Sequence, residues 1–486
     1  MLFNSFSYLL FLVVGATVIW LLPRDKRVYL MGLGSILFYG MWRWEFVSLI
    51  LISAVIDFVA TRRILATDVQ RHKRNWLLLS LCVNLGLLVF FKYTYFLIDN
   101  VGLLGQGIGL NPPVASWRAI DIILPLGISF YTFQTISYTI DAYRGVGRTT
   151  DDFFVFLTYV AFWPQLVAGP ILRASEMIPQ LESPQRASRT DVAAGCQRIV
   201  IGLFKKVVIA DNLSPIVDTI YAGRIDDYMA TDVWVAAILF GFQIYMDFSG
   251  YSDIAIGSAR MVGVHIPENF DWPYIARSPR DFWRRWHITL SSWIRDYLYL
   301  PLTGQRFHTD SSGGLEVAVG VSQRRSTWPL FLTWFIMGLW HGAAWRFAVW
   351  GVYHAFFIYL YRRVRWLRTL PERWPTIAWG VTFLVCMLGW VPFRAESLAA
   401  AMTMLSKVPN PLLYDLSRKV VYGPHYVTAA IMLVGFLVAH TLHNWQPVAP
   451  NHVRVAWAGR VVLTALMTAS VLVYLKPVEQ FIYFQF

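Results

Sequence analysis

Two histidines stand where acid–base chemistry could be done. His341 lies in an apolar stretch, Trp328–Trp345, that holds no Asp, Glu, Lys or Arg. A titratable imidazole in such surroundings is costly and marks a functional site by default. Gly338 and Gly342 flank it and permit close backbone approach, while Trp340 and Trp345 supply flat apolar walls. The chemistry on offer is general-base catalysis near neutral pH. The competing reading is a polar bridge between helices. His287 ends the segment Asp281-Phe-Trp-Arg-Arg-Trp-His287. Phe282, Trp286, Trp293 and Tyr297 fall near one helical face there, and Asp281 and Arg285 have the i, i+4 spacing of an ion pair. On its residues alone this segment, Pro279–Leu300, reads as an amphipathic helix lying at the headgroups, with His287 one more member of an aromatic belt. Arg284, Arg285 and Arg295 suit headgroup anchoring as well as phosphate binding. From 287 to 341 is 54 residues, enough for an interfacial helix, a loop and half a span, so the two imidazoles can converge at mid-membrane.

The elements that must position them are membrane helices. The chain has 486 residues, 56% hydrophobic and 15% charged, with a mean hydropathy of +0.48. Soluble domains carry roughly a quarter of their residues as charges. Apolar runs recur from Phe6–Leu22 through Val28–Met41, Phe46–Ala60, Trp76–Ile98, Ile120–Ile140, Phe153–Ala168, Cys196–Ala210 and Val233–Phe248. They continue through Trp328–Trp345, Phe347–Tyr361, Ile377–Val391 and Val427–His440 to Val461–Leu475. About eleven to thirteen crossings plus partial ones are expected, several shorter than the roughly 20 residues of a perpendicular span. The fold class is therefore all-α and polytopic, one membrane domain over residues 1–486, with no linker and no internal repeat of the kind transporters use. Phe6–Leu22 is expected to be a retained first span.

The net charge of +13 does not imply nucleic acid. Basic residues cluster between apolar runs, at Arg24–Arg27, Arg62–Arg74 and Arg362–Arg373, whereas Asp99–Ser116 has no Lys or Arg. That asymmetry orients a membrane protein. It puts the N-terminus outside and makes residues 305–327, polar and carrying Arg306, Arg324 and Arg325, a cytoplasmic loop. Asp57, Asp141, Asp247 and Asp253 interrupt apolar runs. They are expected to pair structurally, Asp141 with Arg144. Cys82, Cys196 and Cys386 show no metal spacing and read as buried small hydrophobes. Of the candidate metal ligands His354, His440 and His443, the last two have i, i+3 spacing but no third ligand nearby, so no metal site is expected. Serine-nucleophile elbows, Walker loops and dinucleotide fingerprints are absent.

Several segments together resemble one family. They are Asp281-Phe-Trp-Arg-Arg-Trp-His287, then Leu290-Ser-Ser-Trp-Ile-Arg-Asp-Tyr-Leu-Tyr-Leu-Pro301, and Gly338-Leu-Trp-His341-Gly-Ala. Leu124-Pro-Leu-Gly-Ile-Ser-Phe, Leu166-Val-Ala-Gly-Pro-Ile, Met246-Asp-Phe-Ser-Gly-Tyr-Ser-Asp and the tail Phe481–Phe486 agree with them. The chain is similar to the membrane-bound O-acyltransferases, in particular the bacterial branch that acetylates exported polysaccharides. Leu302-Thr-Gly-Gln-Arg306 departs from that branch's pattern at the donor mouth.

The resemblance implies a helical bundle with short, tilted and re-entrant helices around a central tunnel. It implies catalytic roles for His341, as base, and for His287, which would orient the partners or stabilise an oxyanion. Trp286, Trp340, Arg284 and Asp296 are the expected supporting or tunnel-lining residues. No permanently bound cofactor is implied; acetyl-CoA or another acyl thioester would be the donor. The expected partners are periplasmic or membrane-anchored acetyltransferase subunits and a polysaccharide export complex, in a bacterial inner membrane. Alginate is the first expected acceptor. Cellulose, peptidoglycan and D-alanylated teichoic acid are alternatives, and a transporter of acetyl groups or small anions is the alternative of another class.

Overall fold

Helices carry nearly all of the structure, a computed structural model that describes residues 3–110, 112–119, 121–304, 307–309, 315–317, 327–444 and 450–475. Among the described residues, five helices are long and apolar enough to cross a membrane: Trp44–Leu65, Gln70–Gly107, Ala230–Met261, Pro375–Arg394 and Gly423–Asn444. Phe6–Leu21 and Val461–Tyr474 are apolar but shorter. Other apolar stretches become short or broken helices, among them Phe153–Ala161 and Trp328–His341. Such pieces are tolerated in hydrocarbon only where protein covers their ends. The fold is thus that of an all-α polytopic membrane protein. Within 305–327, Phe307–Thr309 pairs antiparallel with Leu315–Val317. The rest of 305–326, including Arg306, Arg324 and Arg325, lies outside the described residues, as does the tail motif Phe481–Phe486.

Packing divides the chain into two compact units. The first comprises Met1–Gly195, Ser258–Pro267 and Trp293–Arg324. A polar knot ties three of its helices together. The Asp57 carboxylate accepts hydrogen bonds from Ser80, from Asn84 at 2.9 and 3.1 Å, and from Thr139 at 3.2 Å. Each donor sits one or more helical turns into an apolar segment, where an unpaired carboxylate would be untenable. The Ile120–Ile140 span is corrected here: its helix starts only at Ile128. Gly127, at φ +73°, turns the chain into the helix, and a Cβ there would meet the Leu166 carbonyl oxygen at 2.3 Å. The Asp141 carboxylate accepts from the Tyr297 hydroxyl at 2.7 Å. Arg144 lies over the ring of that same Tyr297.

The second unit comprises Cys196–Gly257, Glu268–Ser292 and Arg325–Phe486. Its axis is the part up to Gly257 of the 32-residue helix Ala230–Met261, which is buried through most of its length. The charges that interrupt 196–210 are explained by this helix. Lys206, almost wholly buried, reaches Asp247 and Asp211 at 2.7 Å each. Asp253 receives Arg198 at 2.6 Å and Lys205 at 2.7 Å. The structural pairing expected of Asp247 and Asp253 is therefore present. Of the cysteines only Cys386 is buried; Cys82 and Cys196 are exposed. An outward helical face in a bilayer is apolar too, so small apolar residues serve there as well as inside.

The buried cluster sets one expectation for stability. A Lys206→Met chain leaves two carboxylates facing an apolar side chain. It should lose about 3–5 kcal/mol, seen as a lower melting temperature in detergent. Adding Asp211→Asn and Asp247→Asn should restore most of the loss. No recovery in the triple variant would refute the ion-pair account.

Candidate active site

Both histidines belong to the second unit, and the local backbone explains each position. The Trp328–His341 helix begins on Pro329, which is pre-set for a first turn. It ends at His341 because Gly342 is extended, and a Cβ at 342 would strike the Phe347 ring at 2.0 Å. The chain then reverses into Trp345–Arg363. The two antiparallel helices touch backbone to backbone at Gly338 and Gly351. A helix end thus holds the His341 imidazole, 5% exposed, against the rings of Trp340, Trp350 and Phe393 at 5.0, 5.0 and 5.4 Å between centroids.

The expected interfacial helix over Pro279–Leu300 is corrected. It is broken into Pro279–Arg285 and Ile288–Ile294, with a π-helical turn at Arg295–Tyr299. The break falls at His287, which adopts φ +42°, a left-handed conformation uncommon outside glycine. Phe282, Trp283, Trp286, His287 and Leu290 are all buried. The segment is core, not surface. Aromatic amphipathicity looks the same in both places, which is why composition pointed to the headgroups. The anticipated Asp281–Arg285 pair does form, at 3.0 Å.

His287 is fully buried. Its ring meets the Phe248 ring edge-on at 4.7 Å, and its Nδ1 lies 3.1 Å from Oδ1 of Asn269. The Trp340 indole is 6.4 Å from the His287 ring and 5.0 Å from the His341 ring. Both imidazoles therefore flank one indole, from two different parts of the sequence.

The other site residues separate clearly. Trp340 stands beside the two imidazoles, and Trp286 packs on Phe282 and Trp390 at 5.6 and 4.8 Å. Arg284 is exposed. The Asp296 carboxylate is taken up by Arg173 at 2.8 Å and Arg295 at 2.6 Å. Sequence reasoning missed Asn269 and Trp350, weighed His354 only as a metal ligand, and gave Ser252 no role within the Met246–Asp253 motif. The Trp350 ring lies 5.0 Å from both the His341 and the His354 rings, and Trp283 donates to Nδ1 of His354 at 3.4 Å. Only the run of aromatics around His354 could have signalled it. Among the described residues, no three His, Cys, Asp or Glu side chains gather as a metal site. His440 and His443 instead pack on Trp272.

The site is thus a pair of buried imidazoles among aromatic rings in a multi-pass helical membrane protein. Residues 146–393 match the MBOAT, membrane-bound O-acyltransferase family. The chain belongs to that family and is an O-acyltransferase. It is similar to a probable alginate O-acetylase of Azotobacter vinelandii, 39% identical over 83% of this chain and 77% of the relative. A probable alginate O-acetylase of Pseudomonas putida is 34% identical over the whole of both chains. A peptidoglycan O-acetyltransferase of Helicobacter pylori is 34% identical over 79% of this chain and 73% of the relative.

Proposed function

We propose that this chain carries acetyl groups from a cytoplasmic thioester, acetyl-CoA or another acyl thioester, to the O-acetylation of an exported polysaccharide, with alginate as the acceptor polymer. The observation that carries the reading is the pair of buried histidines around Trp340 in a chain resembling alginate O-acetylases along its length. His341 would take the proton from an acceptor hydroxyl as its oxygen attacks the thioester carbonyl. The tetrahedral intermediate then collapses, the C–S bond breaks, and the departing sulfur recovers the proton from His341. His287 would hold the acceptor in line. The charge asymmetry favours an inner-membrane protein with its N-terminus in the periplasm. Periplasmic or membrane-anchored acetyltransferase subunits would hand the group to the polymer.

Deleting the coding sequence from its host should remove acetyl esters from exported alginate, measured by proton NMR of the purified polymer. The peptidoglycan O-acetyltransferase relative supports a second acceptor, so muramic acid acetylation is read in parallel. Loss there alone would transfer the assignment to peptidoglycan. Unchanged acetylation of both polymers would refute the proposal.

A further inference from the structure

Asn269 is fully buried in the connection that follows the Ala230–Met261 helix. Its Oδ1 faces three groups: Nδ1 of His287 at 3.1 Å, Oγ1 of Thr289 at 2.9 Å and the Thr289 backbone N–H at 3.3 Å. Its Nδ2 donates to Oγ of Ser252, also buried, at 3.2 Å. Its backbone carbonyl accepts from the Ile288 N–H at 2.9 Å. These bonds settle an assignment that amide and imidazole geometry normally leaves open. A backbone N–H can only donate, so the atom facing Thr289 is the carbonyl oxygen and the amide is not flipped. A carbonyl oxygen can only accept, so Nδ1 of His287 carries a hydrogen. With one proton on the ring, Nε2 then holds the lone pair.

We propose that Asn269, anchored by Ser252, is a positioning residue that locks His287 in its Nδ1–H form, so that His287 meets the reacting groups as a hydrogen-bond acceptor at Nε2. The inference rests on the acyl-transfer reading and divides the two roles expected of His287. A lone pair at Nε2 receives a hydroxyl hydrogen; it cannot donate to a developing oxyanion. His287 thus orients the acceptor hydroxyl, and oxyanion stabilisation falls to other groups. The backbone supports this. The left-handed conformation at His287 is strained, and Asn269 holds the two residues after it, at Ile288 and Thr289. Ser252 lies in the Met246–Asp253 motif, to which this gives a function beyond packing.

The test is ring-¹⁵N histidine NMR on the full chain in liposomes at mildly alkaline pH, with His287→Gln identifying the relevant signals. The wild type should show a protonated Nδ1 and an unprotonated Nε2 at His287. Asn269→Ala should admit the Nε2–H form, and Asn269→Asp should keep the Nδ1–H form. Ser252→Ala, a milder change, should give a partial mixture. Acetyl transfer from acetyl-CoA should fall about tenfold or more in Asn269→Ala, less than the roughly 10⁴ that a wrong tautomer costs a serine-protease histidine, and less again in Asn269→Asp. A wild-type spectrum of the Nε2–H form would overturn the proposal without any variant; so would an Asn269→Ala spectrum identical to wild type. The stated tautomer in a protein that transfers no acetyl would support the positioning and count against acyl transfer alone.

Discussion

A His341→Ala chain should accumulate in the membrane at normal levels and transfer acetyl groups about 10²–10⁴ times more slowly than wild type. The size of the loss follows from position. His341 is the last residue of its helix, packed against the rings of Trp340, Trp350 and Phe393. Removing the imidazole takes away the proposed base but leaves the Gly338–Gly351 contact intact. His341→Gln, which keeps a polar side chain of similar length, should be just as inactive, since an amide accepts no proton at neutral pH. The assay is radiolabelled acetyl transfer in membranes, with protein level and melting temperature as controls. Retained acetylation in either variant would sink the base assignment.

The route to His341 was open in the sequence because hydrocarbon makes polarity conspicuous: one imidazole in a run without formal charge stands out. His287 was not open in the same way. A segment rich in Trp, Phe and Arg has one appearance at the headgroups and another life in the core, and hydrophobicity does not separate them. Only the paired motifs turned it into a site. The helix break at His287 was hidden because nothing in Trp286-His287-Ile288 is a breaker residue; the left-handed turn is imposed by Asn269 through tertiary contacts. Asn269 itself gave no signal, since a polar residue in a connection is ordinary. The late start of the helix at Ile128, by contrast, was written in Pro125 and Gly127 and was overrun by the apolar residues before them. Asp57, Asp247 and Asp253 announced themselves by being charged where charge is costly. Their partners, Asn84, Lys206 and Arg198, did so less clearly because they arrive from other helices.

Substituting a single methyl group at Gly338 should cost nearly as much activity as removing a catalytic side chain. A Cβ at 338 would lie 2.2 Å from the Phe347 carbonyl oxygen and 3.2 Å from Cα of Ala348. On the facing helix, a Cβ at Gly351 would lie 2.0 Å from the Trp334 carbonyl oxygen. All of these are backbone atoms, so no side chain can rotate away; the helices must part. A separation of about 1 Å moves His341, one turn along from Gly338, and misplacement on that scale can cost about 10² in rate. Overpacking of this kind also costs about 1–3 kcal/mol, against the smaller gain that Ala brings to a helix interior. Gly338→Ala should therefore lower both acetyl transfer and melting temperature while leaving the histidines chemically intact. Gly380→Ala is the control, because a Cβ there meets nothing within 4 Å, and it should leave both quantities near wild type. If Gly338→Ala transfers acetyl at the wild-type rate, the close helix contact does not position the base, and the placement of His341 must come from the aromatic walls alone.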